Sequence, residues 1–197
     1  MDDNQLNALI GSRICHDLIS PIGAIGNGVE LLSMSGFGAA PEIALISESV
    51  ENANAKIRFF RIAFGAAMPG TAVSTGELHS VLRDMYRGSR IRVNWKIDEG
   101  LPRNEVKLAF LLLQCIENAL PWGGEITVIR QSGQWRIEAH AEKLKHDPEL
   151  WDIVTKGKLE SSVAASEVHF ALVPIAMRDS ERQIAAFLGD TQISLSF

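Results

Sequence analysis

Cysteine is scarce in this chain, with only Cys15 and Cys115 among 197 residues. Two thiols set far apart on predicted helices give neither a metal-ligand spacing nor a disulfide framework, so both read as reduced packing residues. Runs of basic residues are missing as well: 19 Lys and Arg are spread along the chain and the net charge is -5. Phosphate backbones need clustered cations, so no nucleic-acid partner is expected. No apolar stretch reaches the roughly 18 residues of a membrane span, and the acidic start Met1-Asp2-Asp3 lacks the positive flank of a signal peptide. These absences predict a cytoplasmic protein with no membrane attachment. Apolar residues are plentiful, at 46% of the chain, enough to give one large domain or two small ones a hydrophobic core.

The segment Ile14-Cys15-His16-Asp17-Leu18-Ile19-Ser20-Pro21 carries the most chemistry. At about 100° per residue, Ile14, Leu18, Ile22, Ile25, Val29 and Leu32 form one apolar stripe of a long helix, and His16 falls about 200° from both Ile14 and Leu18. The spacing predicts an imidazole turned away from the core, beside a carboxylate. Pro21 removes one backbone hydrogen bond inside that helix and crowds the carbonyl of Asp17, which predicts a kink. Gly23, Gly26 and Gly28 weaken the helix by roughly 0.5 to 1 kcal/mol each relative to alanine. Since Gly23 and Asn27 share a face with His16 and Ser20, these small side chains read either as a flat docking platform beside the imidazole or as helix flexibility.

The pattern continues as a helical hairpin, with a first helix from about Asn4 to Ser35, a turn at Gly36-Phe37-Gly38, and Pro41 in the first turn of a second helix. Ile43, Ile46, Val50, Ala53, Ile57, Phe60 and Phe64 alternate steps of three and four, a heptad seam. Two helices cannot enclose seams this long, so pairing with a second hairpin into a four-helix bundle, hence a homodimer, is the expectation. The other possibility is a seam that packs on the remainder of the same chain. Antiparallel folding about Phe37 brings Lys56, Arg58 and Arg61 level with His16, either as phosphate-steadying cations or as an ordinary solvated basic helix end.

A break at Ala66-Ala67-Met68-Pro69-Gly70-Thr71 separates an expected hairpin domain, 1–70, from a second domain, 71–197. Ser74-Thr75-Gly76-Glu77 reads as a capping box. A strand over Ile91–Ile97, a buried helix over Arg103–Leu120, a hairpin around Ser132-Gly133, a short helix opened by Asp147-Pro148, a helix from about Ser166 to Arg182 and a last strand pair around Gly189-Asp190 follow. The whole predicts an α+β fold: a helical hairpin, then an α/β sandwich. Trp95, Trp122, Trp135 and Trp151 lie in or beside predicted core elements, where packing is the default account. His79, His140, His146 and His169 have no metal spacing and read as surface or structural residues.

The run His16-Asp17-Leu18-Ile19-Ser20-Pro21 fits the H-[DE]-L-x-x-P pattern of the H-box in two-component histidine kinases. Together with Ala24, Asn27, Gly28, Glu30, Leu31 and Leu32 it resembles the ChpT-type histidine phosphotransferases of alphaproteobacteria, a likeness that extends along the whole chain. The resemblance implies that His16 is the phosphoryl acceptor and that Asp17 orients the ring or receives its proton. It implies partners as well: the receiver domains of a hybrid histidine kinase and of response regulators of the CtrA and CpdR type. Magnesium then belongs to the receiver, and this chain needs no cofactor or metal of its own. Ser12, Arg13, Ser20, Gly23 and Asn27 on the first helix, with Arg58 and Arg61 on the second, are the candidate docking residues.

The second domain resembles the ATP-binding domain of histidine kinases with its nucleotide apparatus missing. Asn118 matches the metal-holding asparagine of the kinase N-box, but Gln114 replaces the first asparagine of that box and Pro121 its usual lysine. After the strand ending at Ala141 the chain runs Glu142-Lys143-Leu144-Lys145-His146, without the Asp-x-Gly-x-Gly segment that reads adenine. Ser166-Glu167-Val168-His169-Phe170 stands where a glycine loop would cradle phosphates. No ATP binding is therefore expected, and Asn118 is not assigned as a ligand. Two alternatives share the hairpin: a diverged kinase that still binds ATP, and a dimeric scaffold without a reactive histidine.

Overall fold

The computed structural model describes residues 3–35, 40–68, 70–157 and 163–197. The side chains of Ser12, Cys15 and His16 and the expected turn at Gly36-Phe37-Gly38 lie outside the described ones. The chain begins with two long helices, α1 (Asp3–Ser35) and α2 (Ala40–Ala63), packed on each other. α1 runs unbroken through Pro21, and Pro41 sits in the first turn of α2, where its missing N–H costs nothing.

Short antiparallel strands β1 (Ala72–Val73) and β3 (Leu101–Pro102) form a small ribbon. Between them lie α3 (Thr75–Met85) and β2 (Ile91–Trp95). The Ser74 side chain accepts from the Glu77 amide at 3.3 Å, one half of the expected capping box. The Glu77 carboxylate turns instead to Arg61.

α4 (Arg103–Asn118) is followed by the hairpin of β4 (Gly124–Gln131) and β5 (Gln134–His140), then α5 (Pro148–Lys156), capped by Asp147. A 3-10 turn, Ala165–Glu167, leads into α6 (Val168–Asp179), and β6 (Ala185–Leu188) and β7 (Gln192–Ser196) close the chain. The β4–β5 turn holds Ser132 at φ 51° and Gly133 at φ 79°, the two positive φ values that a tight hairpin turn requires.

The other five strands form one sheet in the order β2-β4-β5-β7-β6, with β2 parallel to β4 and the other pairs antiparallel. Alternation decides its faces. Ile126, Val128, Ile137, Ala139, Ile193 and Leu195 point inward and are buried, whereas Arg136 and Glu138 face out. Helices cover one face, giving an α+β fold with a two-layer sandwich. Trp95, Trp135 and Trp151 are core residues, but Trp122 is 57% exposed, a departure from the expected packing role. It lies in the exposed turn between α4 and β4, under the Lys143 ammonium at 5.4 Å.

The core does not stop at the hairpin. Phe59, Phe60, Ile62 and Ala63 at the end of α2 share one apolar cluster with α3, α4 and the sheet, and Phe59 stacks on Phe110 at 4.7 Å. Toward the other end of the hairpin the apolar residues lose their cover. Ile22, Val29, Ile43, Val50 and Ile57 are all at least 40% exposed. Among the described residues, no helix is long and apolar enough to cross a membrane.

Candidate functional site

His16 and Asp17 sit midway along α1, one turn before Pro21. A proline at 21 has no N–H to give the carbonyl of residue 17, the partner it would have four residues earlier in an unbroken helix. Lys56 of α2 supplies the missing donor: its Nζ donates to the Asp17 carbonyl oxygen at 3.0 Å. The antiparallel level of His16 with residues near 58, read from the sequence, is thereby realised.

The Asp17 carboxylate is engaged on its own helix. Arg13, one turn earlier, places Nε 2.8 Å from Asp17 Oδ2, with both side chains mostly shielded. The same guanidinium donates through Nη1 to the backbone carbonyl of Ser166 at 2.5 Å. Arg13 therefore has partners within the chain on both sides of its guanidinium. The sequence could not show this, because the partner carbonyl lies 153 positions away.

Arg58 and Arg61 also have partners within the chain. Arg58 donates to Asp84 Oδ2 at 2.9 Å and to Ser80 Oγ at 3.0 Å, and Arg61 donates to Glu77 Oε1 at 3.0 Å. Glu77, Ser80 and Asp84 follow one face of α3 at helical spacing, so both arginines join α2 to α3. Three arginines, Arg58, Arg83 and Arg87, surround Asp84. Burial works to raise its carboxyl, but the Arg83 hydrogen bond and the three positive charges outweigh that and hold it below the usual range.

Three of the other expected docking residues are open. Ser20, Gly23 and Asn27 are exposed, and a Cβ built on Gly23 or Gly26 would meet nothing within 4 Å. Among the described residues, no close approach explains Gly23 or Gly26. The open strip continues the helix face on which the register places His16.

Behind the site, two groups from the sandwich lie against α1 and went unrecognised in the sequence. Glu117 at the end of α4 accepts from the Tyr86 hydroxyl at 3.2 Å. Burial pushes its carboxyl up, the Tyr86 bond and the charges of Arg13 and Lys56 pull the other way, and Asp17 adds to the rise. His169, in the first turn of α6, is 2% exposed. Burial, with Arg13 nearby, lowers its pKa from 6.5 to about 3, so the ring is neutral. His79, by contrast, is a surface residue near Asp98 at 3.6 Å.

Among the described residues, no group of three or more His, Cys, Asp or Glu side chains is arranged to hold a metal ion. Cys115 is buried, and burial pushes its thiol well up, away from thiolate chemistry.

Residues 75–192 match the family described as histidine phosphotransferase C-terminal domain, which covers more than half of the chain. The Brucella abortus (strain 2308) protein phosphotransferase ChpT is 44% identical over 129 residues, 63% of this chain and 60% of that protein. The alignment thus spans less than two thirds of that relative. A solved structure described as a bacterial phosphotransferase superposes with a TM-score of 0.82 at 32% identity, over 100% of this chain and 97% of that one. The family match over residues 75–192 and the superposition over the full chain place the chain in the histidine phosphotransferase family.

Proposed function

We propose that this protein relays phosphoryl groups between receiver domains through a phosphohistidine at His16. The reaction begins with neutral imidazole, the dominant form of a side chain with a pKa near 6.5 at cytoplasmic pH. A ring nitrogen attacks the phosphorus of a donor aspartyl phosphate. The N–P bond forms as the P–O bond to the donor carboxylate breaks, and the proton on the other ring nitrogen passes to a base. Asp17 is the neighbouring carboxylate for that role, or for orienting the ring. Transfer onward to a second receiver reverses these steps, with magnesium held by the receiver.

The observation that carries this reading is the placement of the His16-Asp17 pair next to the open strip of Ser20, Gly23 and Asn27. A receiver has to bring its aspartate within bonding distance of the imidazole, and small exposed residues leave room for it. The uncovered apolar residues of the hairpin support a homodimer in which two hairpins form a four-helix bundle. In this reading residues 1–70 dimerise and carry the phosphoryl group, and residues 71–197 are a sandwich without nucleotide chemistry. Donor and acceptors are a hybrid kinase and CtrA- or CpdR-type regulators, in the cytoplasm.

The test is transfer from a labelled, phosphorylated receiver domain to the purified protein. Label should move to this chain and prove acid-labile and alkali-stable, as a phosphoramidate is. An alkali-labile label would indicate an acyl phosphate and sink the proposal. Calorimetry with Mg-ATP separates the kinase alternative: no micromolar binding is expected, because no glycine loop brings backbone amides to a triphosphate.

A further inference from the structure

The Asp17 residue is held at both ends. Lys56 donates to its backbone carbonyl, and Arg13 pairs with its carboxylate at 2.8 Å. Arg13 is itself anchored outside the hairpin, since its Nη1 reaches the Ser166 carbonyl in the 3-10 turn that opens α6. One guanidinium therefore joins the H-box carboxylate to the sandwich. The two contacts use different nitrogens of one guanidinium, Nε paired with the Asp17 carboxylate and Nη1 donating to Ser166, which a planar fork presents in fixed relative geometry. The surroundings keep the fork in place: Arg13 and Asp17 side chains are 20% and 14% exposed, and the Tyr86–Glu117 pair and buried His169 stand behind them.

We propose that Arg13 is a positioning residue for phosphoryl transfer, holding the Asp17 carboxylate beside His16 by an anchor on the sandwich. The proposal rests on the reading of His16 as acceptor and Asp17 as its acidic partner. It gives the nucleotide-free sandwich a task in the reaction: the turn before α6, which would cradle phosphates in a kinase, here supplies the carbonyl that holds Arg13. Arg13 takes no proton and touches no phosphoryl group. Its contribution is to the fixed direction of the Asp17 carboxylate.

The test uses the full chain with Arg13→Gln, Arg13→Lys, Asp17→Asn and the Arg13→Gln/Asp17→Asn double variant. Rates of label transfer from a phosphorylated receiver are measured against receiver concentration and pH. Misdirecting a proton-accepting group costs on the order of tenfold to a hundredfold, and that loss is expected in the saturated rate of Arg13→Gln. The half-saturating receiver concentration should stay unchanged, and the pH profile should move as it does in Asp17→Asn. The double variant should be no slower than Asp17→Asn alone. Arg13→Lys should remain slow, because one ammonium cannot serve both acceptors, and it keeps the test decisive should the glutamine variant not fold.

A wild-type rate in Arg13→Lys or Asp17→Asn would overturn the proposal. So would losses that multiply in the double variant, or a raised half-saturating concentration at unchanged maximal rate, which would make Arg13 a receiver contact. Label retained by His16→Ala would instead defeat the acceptor assignment. Label lost in His16→Ala with full transfer in Arg13→Lys would defeat the positioning role alone.

Discussion

Lys56 Nζ donates to the backbone carbonyl of Asp17 at 3.0 Å, across the two helices of the hairpin. Pro21 has no N–H to donate to that carbonyl, and Lys56 supplies a donor from the facing helix. Lys56→Met should therefore cost more than a surface lysine would. A hydrogen bond from a charged donor contributes about 1.5 to 3 kcal/mol, and a loss of that order in urea denaturation is expected. Restoring the backbone donor in Lys56→Met/Pro21→Ala should recover part of it. An undiminished stability in Lys56→Met would show that the bond carries no weight.

Gly23 separates docking from folding. A Cβ there meets nothing within 4 Å, so Gly23→Ala should stabilise the helix by roughly 0.5 to 1 kcal/mol. Gly23→Arg should fold as well as wild type yet transfer slowly, because its bulk lies on the face a receiver must approach. Asn27→Arg should act alike. Full transfer rates in both arginine variants would remove this strip from the docking surface.

Val50 and Ile57 are 40% and 49% exposed in the single chain. If a second hairpin covers them, light scattering of the wild-type protein should give a dimer, and Val50→Asp with Ile57→Asp should dissociate it. Burying an unpaired charge costs several kcal/mol, well above what a surface site would suffer. A well-folded wild-type monomer at micromolar concentration would end the four-helix-bundle account.

His169 sets an acid limit on stability. Its folded pKa of about 3 lies below the ordinary 6.5, so between these values the unfolded chain binds the extra proton and stability falls with falling pH. At pH 4 the loss amounts to about 3 kcal/mol by linkage. His169→Leu should flatten denaturation midpoints over that range relative to wild type. An equally steep acid loss in His169→Leu would place the sensitivity elsewhere.

The periodic parts of the fold were legible. The apolar stripe of α1, the capping serine of α3 and the alternation of β4 and β5 are local patterns, and each element formed where its period placed it. The link from Pro21 to the Asp17 carbonyl was legible too, and antiparallel folding already set Lys56 level with it. What could not be read were side-chain choices made by distant partners. Arg58 and Arg61 could be set level with His16, but their pairing with Asp84 and Glu77 follows only from the packing of α3. Arg13 found its second acceptor in the turn before α6, and Glu117 gained its neighbours on α1 only through packing. Trp122 misled for the opposite reason: a large aromatic suggests a core, but the turn that carries it faces solvent.

Replacement of one histidine tests the account most directly. His16→Ala, His79→Ala and wild type are each mixed with the same labelled receiver domain. His79 lies near Asp98 on the surface of the sandwich, so His79→Ala should take up label as fast as wild type. His16→Ala should melt and dimerise like wild type and take up none. Label on His16→Ala, at any rate comparable to wild type, would contradict the assignment of His16 as the phosphoryl carrier.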